Sequence, residues 1–155
     1  MGLSVTSPAF ADGDTLPAKY TCDGENISPP IDWGPLPADT MSVAFLMDDP
    51  DDSTAPGGIF THWTLVNLPP QTPGLPEGVP NDGVLPDGAI QGRNGFGALG
   101  YGGPEPIPGS GPDRYRFQVF ALSWELDVEP GVSRAAVLEA MEGRILAEGV
   151  LTAKY

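Results

Sequence analysis

The densest group of reactive side chains is Asp48-Asp49-Pro50-Asp51-Asp52, four carboxylates in five positions at the end of an apolar run. On composition alone a solvated acidic loop accounts for it. The second feature is His62, the only histidine, set between Thr61 and Trp63 in a β-prone stretch. A lone strand histidine is either a hydrogen-bonded structural group or a reactive imidazole. The third is GYGGPEPIPGSGPDRY, residues 100–115. There Gly102 and Gly103 allow close backbone approach to a ligand, and successive N–H groups in such a turn can form an anion-binding nest. Tyr115 adds a phenol. Each group sits where a strand meets a loop, and together they would supply acids, an imidazole, a phenol and backbone donors.

Such a set can do several kinds of chemistry. It can bind a small charged group without turning it over. As a hydrolase, it would use His62, held by Asp49, as general base for water or for a hydroxyl such as Ser53, Thr54 or Ser110. No strained G-x-S-x-G nucleophile turn is present to support that second use. Two carboxylates and an imidazole can also receive a cationic group or a metal ion.

The elements that must position these groups read mostly as strands. Met41 to Asp49 is a continuous apolar run ending in acids, which suits a strand buried on both faces. Phe60 to Leu68 is β-branched and aromatic and is closed by Pro69-Pro70. Period two predicts Phe60, His62, Thr64, Val66 and Leu68 on one face, with Thr61, Trp63, Leu65 and Asn67 on the other. Arg114 to Leu126 is the clearest strand, with Tyr115, Phe117, Val119 and Ala121 on one face. Leu3 to Thr6 alternates and can open a first strand. Residues 17–34 are broken by Gly24, Pro29, Pro30 and Gly34 and can hold only short pieces. From Pro69 to Pro112 nearly every third or fourth residue is Gly or Pro, a long loop region of the kind that is usually functional. One helix is predicted, with Ser133 as N-cap, Val137, Leu138, Met141 and Ile145 at helical spacing, and Gly149 as its stop. Val150 to Ala153 leaves room for a short final strand.

Length and composition bound the answer. At 155 residues and 16.2 kDa the chain is expected to be a single domain, 1–155. Gly 21 and Pro 19 make a quarter of it. With 40% hydrophobic residues in short dense runs, they read as punctuation in an all-β domain rather than as disorder. Seven Lys and Arg against 21 Asp and Glu give a net charge of −14. That leaves no basic face for nucleic acid or for an anionic membrane surface; solubility or a salt-rich habitat explains the acidity. The lone Cys22 cannot form an internal disulfide, no apolar run approaches the ~20 residues of a membrane span, and MGLSVTSPAF lacks the basic and apolar regions of a signal peptide. The expected compartment is the cytoplasm. Met1 to Thr6 fits the myristoylation pattern, which an ordinary first strand explains as well, and Asn26-Ile27-Ser28 fits a glycosylation sequon that has no meaning without secretion.

The motifs DDPD, HWTLVNLP, QGRNGFGALGYGGP and GPDRYRFQVFAL, in this order, resemble the phosphatidylethanolamine-binding protein family, in its bacterial and archaeal Raf-kinase-inhibitor-like branch. YTCDGENISPPIDW near the front and AAVLEAMEGRILAEGVLTAKY at the end fit the same branch, so the resemblance covers essentially the whole chain. It implies an all-β fold, a β-sandwich of two antiparallel sheets with a short C-terminal helix, and a small anion pocket at one end of a sheet. By the resemblance, Asp49, Pro50 and Asp51 match the Asp-Pro-Asp motif, and the Asp49–Pro50 bond is expected to be cis. His62 matches the pocket histidine. Gly102, Gly103 and Pro104 match the Gly-x-Pro loop, and Arg114 and Tyr115 match the His-Arg-Tyr motif. Asp113 departs, standing where the family usually has a second pocket histidine; Glu105 and Ile107 also fall in a stretch that is usually small or proline-rich.

This departure removes a donor and adds a negative charge beside Asp49. Like charges at close range weaken an anion site or force one carboxyl to hold a proton. The expectation is a non-enzymatic binding or regulatory module for a small anionic or zwitterionic ligand such as a phosphate or phospholipid headgroup. No cofactor is called for. The family's names add a kinase or protease as a protein partner, and the resemblance implies a homodimer.

Overall fold

The computed structural model describes residues 2–52, 55–105 and 112–155. Two antiparallel sheets and one helix form its layers, as the sequence predicts. The smaller sheet has the order β1 (Ser4–Thr6), β2 (Ile31–Gly34), β5 (Gly74–Leu75). The larger runs β6 (Ile90–Gln91), β4 (Phe60–Leu68), β3 (Ser42–Asp49), β7 (Arg114–Leu122), β8 (Ile145–Lys154). All eight residues of β3 are buried, because β4 and β7 flank it and both of its faces are covered. One face packs Phe45 and Met47 with Trp63, Leu65, Phe117 and Val119 against Val5, Ile31, Trp33 and Leu75 of the small sheet. The other packs Ala44, Leu46, Val66 and Phe120 under Val137 and Met141 of α1 (Arg134–Met141).

The helix begins as predicted, with the Ser133 hydroxyl accepting the Ala136 N–H at 3.1 Å. Its predicted stop is wrong. The helix ends at Met141, Gly143 takes φ 76°, and Ile145 already opens β8. Gly149 lies in the middle of that ten-residue strand, where a Cβ would stand 2.2 Å from the Leu3 carbonyl oxygen. The glycine serves close approach of the N-terminal segment, whose Leu3 N–H donates to the Glu148 carbonyl at 2.8 Å. Strand β7 is shorter than the apolar run, ending at Leu122, and the long Gly/Pro region carries β5 and β6 within it.

The predicted alternation of Phe60–Leu68 fails at two places, and both failures matter. Val43 pairs with Leu68 and Phe45 with Leu65, so β4 holds one residue too many there. Asn67 takes φ 58° and exchanges two 2.8 Å hydrogen bonds with the Leu126 backbone. Leu68 consequently turns into the core between the sheets, beside Trp63 and Leu65 rather than with Val66. A second bulge lies at the other end, where Met47 pairs with Trp63 and Asp48 with Thr61, leaving His62 without a partner on β3. A bulge re-aims the side chain it carries. His62 therefore leaves the helix-side face of Val66 and packs on Tyr115, whose ring belongs to the core between the sheets.

The expected cis bond is also misplaced. Gly34–Pro35 is the cis peptide bond among the described residues, and Asp49–Pro50 is not cis. Pro50 instead occupies the middle of a turn closed by the Asp51 N–H donating to Asp49 Oδ1 at 2.8 Å, a side-chain-closed turn that a trans proline satisfies.

Candidate functional site

The four carboxylates of the Asp48–Asp52 run have different fates, because a strand sends successive side chains to opposite faces. Asp48 faces the helix side, fully buried. It accepts Arg116 Nε at 2.7 Å and Arg116 Nη2 at 3.0 Å, Gln118 Nε2 at 2.9 Å and Arg134 Nη2 at 2.9 Å. Two guanidiniums and an amide on one carboxylate make a structural ion cluster that ties β3 and β7 to α1. The reading of an acidic loop missed it; Arg116 and Gln118, alternating on the strand predicted at 114–126, were the available signal.

Asp49 faces the other way and is 3% exposed. Its carboxyl lies within hydrogen-bonding reach of the Asp113 carboxyl. Burial first, then this neighbour and the charge of Asp52, push the Asp49 carboxyl up to about 7. The Asp113 carboxyl beside it thus favours the protonated form of Asp49 near neutral pH.

Asp51 belongs to neither group. It accepts the Arg114 backbone N–H at 2.9 Å, Nε at 3.0 Å and Nη2 at 2.8 Å. The Arg114 guanidinium beside it holds the Asp51 carboxyl down at about 2. The pair clasps the turn after β3 to the start of β7, and so sets Asp113 opposite Asp49.

His62 is 3% exposed. One ring nitrogen, Nδ1, lies 2.6 Å from the Gly102 carbonyl oxygen. A carbonyl can only accept, so Nδ1 carries the proton and Nε2 presents a lone pair. Burial lowers the imidazole to about 4, against the opposing pull of the Gly102 carbonyl and of Asp52, Asp48 and Asp113. The ring is neutral at pH 7. Around it stand the rings of Phe60 at 4.8 Å, Tyr115 at 5.3 Å and Phe96 at 5.9 Å, with Phe96 half exposed. Burial, then the charges of Asp49, Asp113 and Asp52, raise the Tyr115 phenol and keep it protonated.

The glycine loop is not the nest of donors expected. The Gly102 N–H donates to the His62 carbonyl at 2.9 Å, and the Gly103 N–H donates to Asn26 Oδ1 at 2.9 Å. Pro104 is buried and its carbonyl accepts the Cys22 N–H at 3.0 Å. Both glycines are required by space rather than by a ligand. A Cβ on Gly102 would meet Phe96 Cδ2 at 2.6 Å, and one on Gly103 would meet Asn26 Oδ1 at 2.3 Å.

The structure thus gathers Asp49, Asp113, His62, Tyr115 and Gly102 at one end of the large sheet. It assigns Pro50, Asp51, Gly103 and Pro104 to scaffolding. Sequence reasoning missed Phe60, Phe96 and Asn94. The Asn94 side-chain Oδ1 accepts the Phe96 and Ala98 N–H groups at 2.9 and 3.2 Å and fixes the loop that presents Phe96. Nδ1 of His62 is oriented by the Gly102 carbonyl and not by Asp49, the orienter named in the hydrolytic reading. Ser53, Thr54 and Ser110, the hydroxyls considered for that role, lie outside the described residues, as does Ile107. Among the described residues no three His, Cys, Asp or Glu side chains come together to hold a metal ion, and no helix is long and apolar enough to cross a membrane.

Comparison with known proteins agrees with this architecture. The family model of the phosphatidylethanolamine-binding protein matches residues 6–155. A UPF0098 protein of Methanothermobacter thermautotrophicus is 49% identical over 153 residues, covering 99% of this chain and 98% of its own. E. coli YbcL, described as a new member of the mammalian family, superimposes with a TM-score of 0.91 at 36% identity, covering 100% of this chain and 98% of that one. A homolog of the family from Chlamydia trachomatis gives 0.89 at 36% identity, covering 99% and 97%. A match along nearly the entire chain, in sequence and in fold, places it with these bacterial and archaeal proteins: the chain belongs to the phosphatidylethanolamine-binding protein family.

Proposed function

We propose that the protein is a non-enzymatic module that binds a small zwitterionic molecule at the Asp49–His62–Asp113–Tyr115 site. The observation that carries this reading is the placement of the buried Asp49 carboxyl beside the half-buried Asp113 and a neutral, carbonyl-locked His62. Titratable groups brought together under burial at a sheet end, next to an exposed aromatic ring, mark a binding site more often than a purely structural cluster does. The reading also rests on membership of a family named for binding phosphatidylethanolamine. Turnover is not supported: there is no Asp-oriented imidazole, and the acid pair has no substrate-activating partner among the described residues.

The test is calorimetric titration with phosphoethanolamine, the headgroup of the lipid without its chains, together with amide and His62 imidazole NMR shifts. Saturable binding that perturbs His62 and the Tyr115 ring is expected. Phosphoethanolamine that leaves both unmoved at millimolar concentration refutes the site.

A further inference from the structure

The groups at this site are unequal in what they can offer a ligand, and the inventory decides which end of a zwitterion they hold. Among the described residues, the strong donors nearby are already engaged. The His62 Nδ1–H is on Gly102, the Gly102 N–H on His62, the Gly103 N–H on Asn26, and the Arg114 N–H and guanidinium on Asp51. The Asp113 N–H donates to the Tyr155 carbonyl at 3.0 Å. Among the described residues, what remains is the Tyr115 hydroxyl as a donor, set against the His62 Nε2 lone pair and the oxygens of Asp49 and Asp113. Acceptors and negative charge dominate, and the rings of Phe60, Phe96 and Tyr115 pack tilted or edge-on around the imidazole.

We infer that the Asp49–Asp113 pair and the Phe60–Phe96–Tyr115 rings bind an organic ammonium group, and that this end of the ligand, not its anionic end, sits deepest at the site. The inference rests on the binding function proposed above and narrows it. An alkylammonium supplies N–H donors and a positive charge, which suit the two carboxyls. Its alkyl stem suits aromatic walls, where a cation over a ring gains a further attraction. A phosphate in the same place would meet two acids, a neutral imidazole that can only accept, and one phenol.

Proton bookkeeping gives the inference a sign. Around Asp49 stand Asp113, Arg114 and Tyr115 from the start of β7, His62 from β4, and Asp51 and Asp52 from its own turn. Among these, the Asp49 proton is the one that leaves near neutral pH. A cation drives it off, so ammonium binding strengthens as pH rises. A phosphate needs it retained, so phosphate binding strengthens as pH falls.

The experiment titrates ethanolamine hydrochloride and inorganic phosphate separately into the native protein at pH 6 and pH 8, and repeats both with Asp113→Asn. Ethanolamine is expected to bind more tightly than phosphate at pH 8 and to gain up to about tenfold between the two pH values. Asp113→Asn should cost ethanolamine about tenfold and leave phosphate equal or better. Phosphate binding more tightly than ethanolamine at pH 8, or ethanolamine weakening as pH rises, overturns the ammonium assignment while leaving a binding site in place. Failure of ethanolamine, phosphate and phosphoethanolamine alike overturns both. The native pH dependence stands as a test even where Asp113→Asn does not fold.

Discussion

Arg114 binds Asp51 through three hydrogen bonds, one from its backbone N–H and two from its guanidinium, at 2.8–3.0 Å. Both side chains reach solvent, so the pair adds little to stability. Its effect is positional. It holds the residue before Arg114, Asp113, against the residue two before Asp51, Asp49. The acid pair is thus a product of a surface clasp as much as of the sheet.

Releasing the clasp should therefore change the titration of Asp49, to which neither side chain of the clasp is bonded. In Asp51→Ala the turn before β7 loses its anchor, Asp113 moves away and the freed Arg114 approaches Asp49. Asp49 should then titrate lower, back toward the usual carboxylate range, while the fold persists. Carboxyl carbon NMR across a pH series reads this directly. An unchanged Asp49 midpoint would show that Asp113 is held by other contacts.

Asp49 and His62 also make opposite demands on stability. Asp49 is raised from 3.8 to about 7, so its contribution is full below about pH 4 and is lost as pH rises through 7. His62 is lowered from 6.5 to about 4, so its contribution is full above 6.5 and is lost as pH falls through 4. Between pH 4 and 6.5 the two slopes oppose each other. Asp49→Asn keeps the turn-closing acceptor for the Asp51 N–H and removes only the Asp49 slope. Its stability relative to the native protein should therefore rise from pH 5 to pH 8, by about 1–2 kcal/mol, in urea unfolding at each pH. A difference that stays flat across that range would mean that burial and Asp113 do not hold the Asp49 carboxyl up.

Asp48, one residue earlier, should behave as a structural residue. Removing one partner from a buried ion cluster leaves the others uncompensated, at a cost of about 3–5 kcal/mol. Asp48→Ala strands Arg116 and Arg134, and Arg134 Nε already lacks a partner in this structure. Urea midpoints should fall steeply for Asp48→Ala and only slightly for Asp51→Ala. Similar small losses for both would remove the distinction drawn between the two faces of β3.

These contrasts show what the sequence could and could not convey. The strands at 41–49, 60–68 and the start of 114–126 and the Ser133 cap follow from periodicity and capping chemistry, which are local. The two-sheet sandwich follows from the family resemblance, and the ten-residue β8 is legible only as a short strand at Val150–Ala153. The faces of β4 did not follow. Period two assumes an unbroken ladder, and the bulges at His62 and Asn67 are decided by how β3 pairs across from them. Asn67 carried a faint signal, since asparagine tolerates a positive φ; His62 carried none. Gly149 looked like a helix stop because a glycine needed for close approach and a glycine needed for a cap are the same letter. The donors of Gly102 and Gly103 were assigned to a ligand because only the tertiary structure brings Asn26 and the His62 carbonyl to them. Asp113 was identified as the electrostatic liability, but that it raises Asp49 under burial required the fold.

The protonation of His62 is the most direct check on the site as a whole. Its Nδ1–H is fixed by the Gly102 carbonyl at 2.6 Å, and 3% exposure leaves the ring little water with which to exchange roles. Burial outweighs the acids around it, so the ring should stay neutral far below the pH at which an exposed histidine charges. Two-bond nitrogen–proton correlation spectra should show a single neutral form protonated at Nδ1, unchanged from pH 8 to about 5, with the charging midpoint near 4. Addition of ethanolamine at pH 8 should shift Nε2, the free acceptor, more than Nδ1. A midpoint at 6 or above would make His62 a donor under physiological conditions. It would also return the site to anion binding, because an imidazolium beside the acid pair supplies the charge that the engaged backbone donors do not.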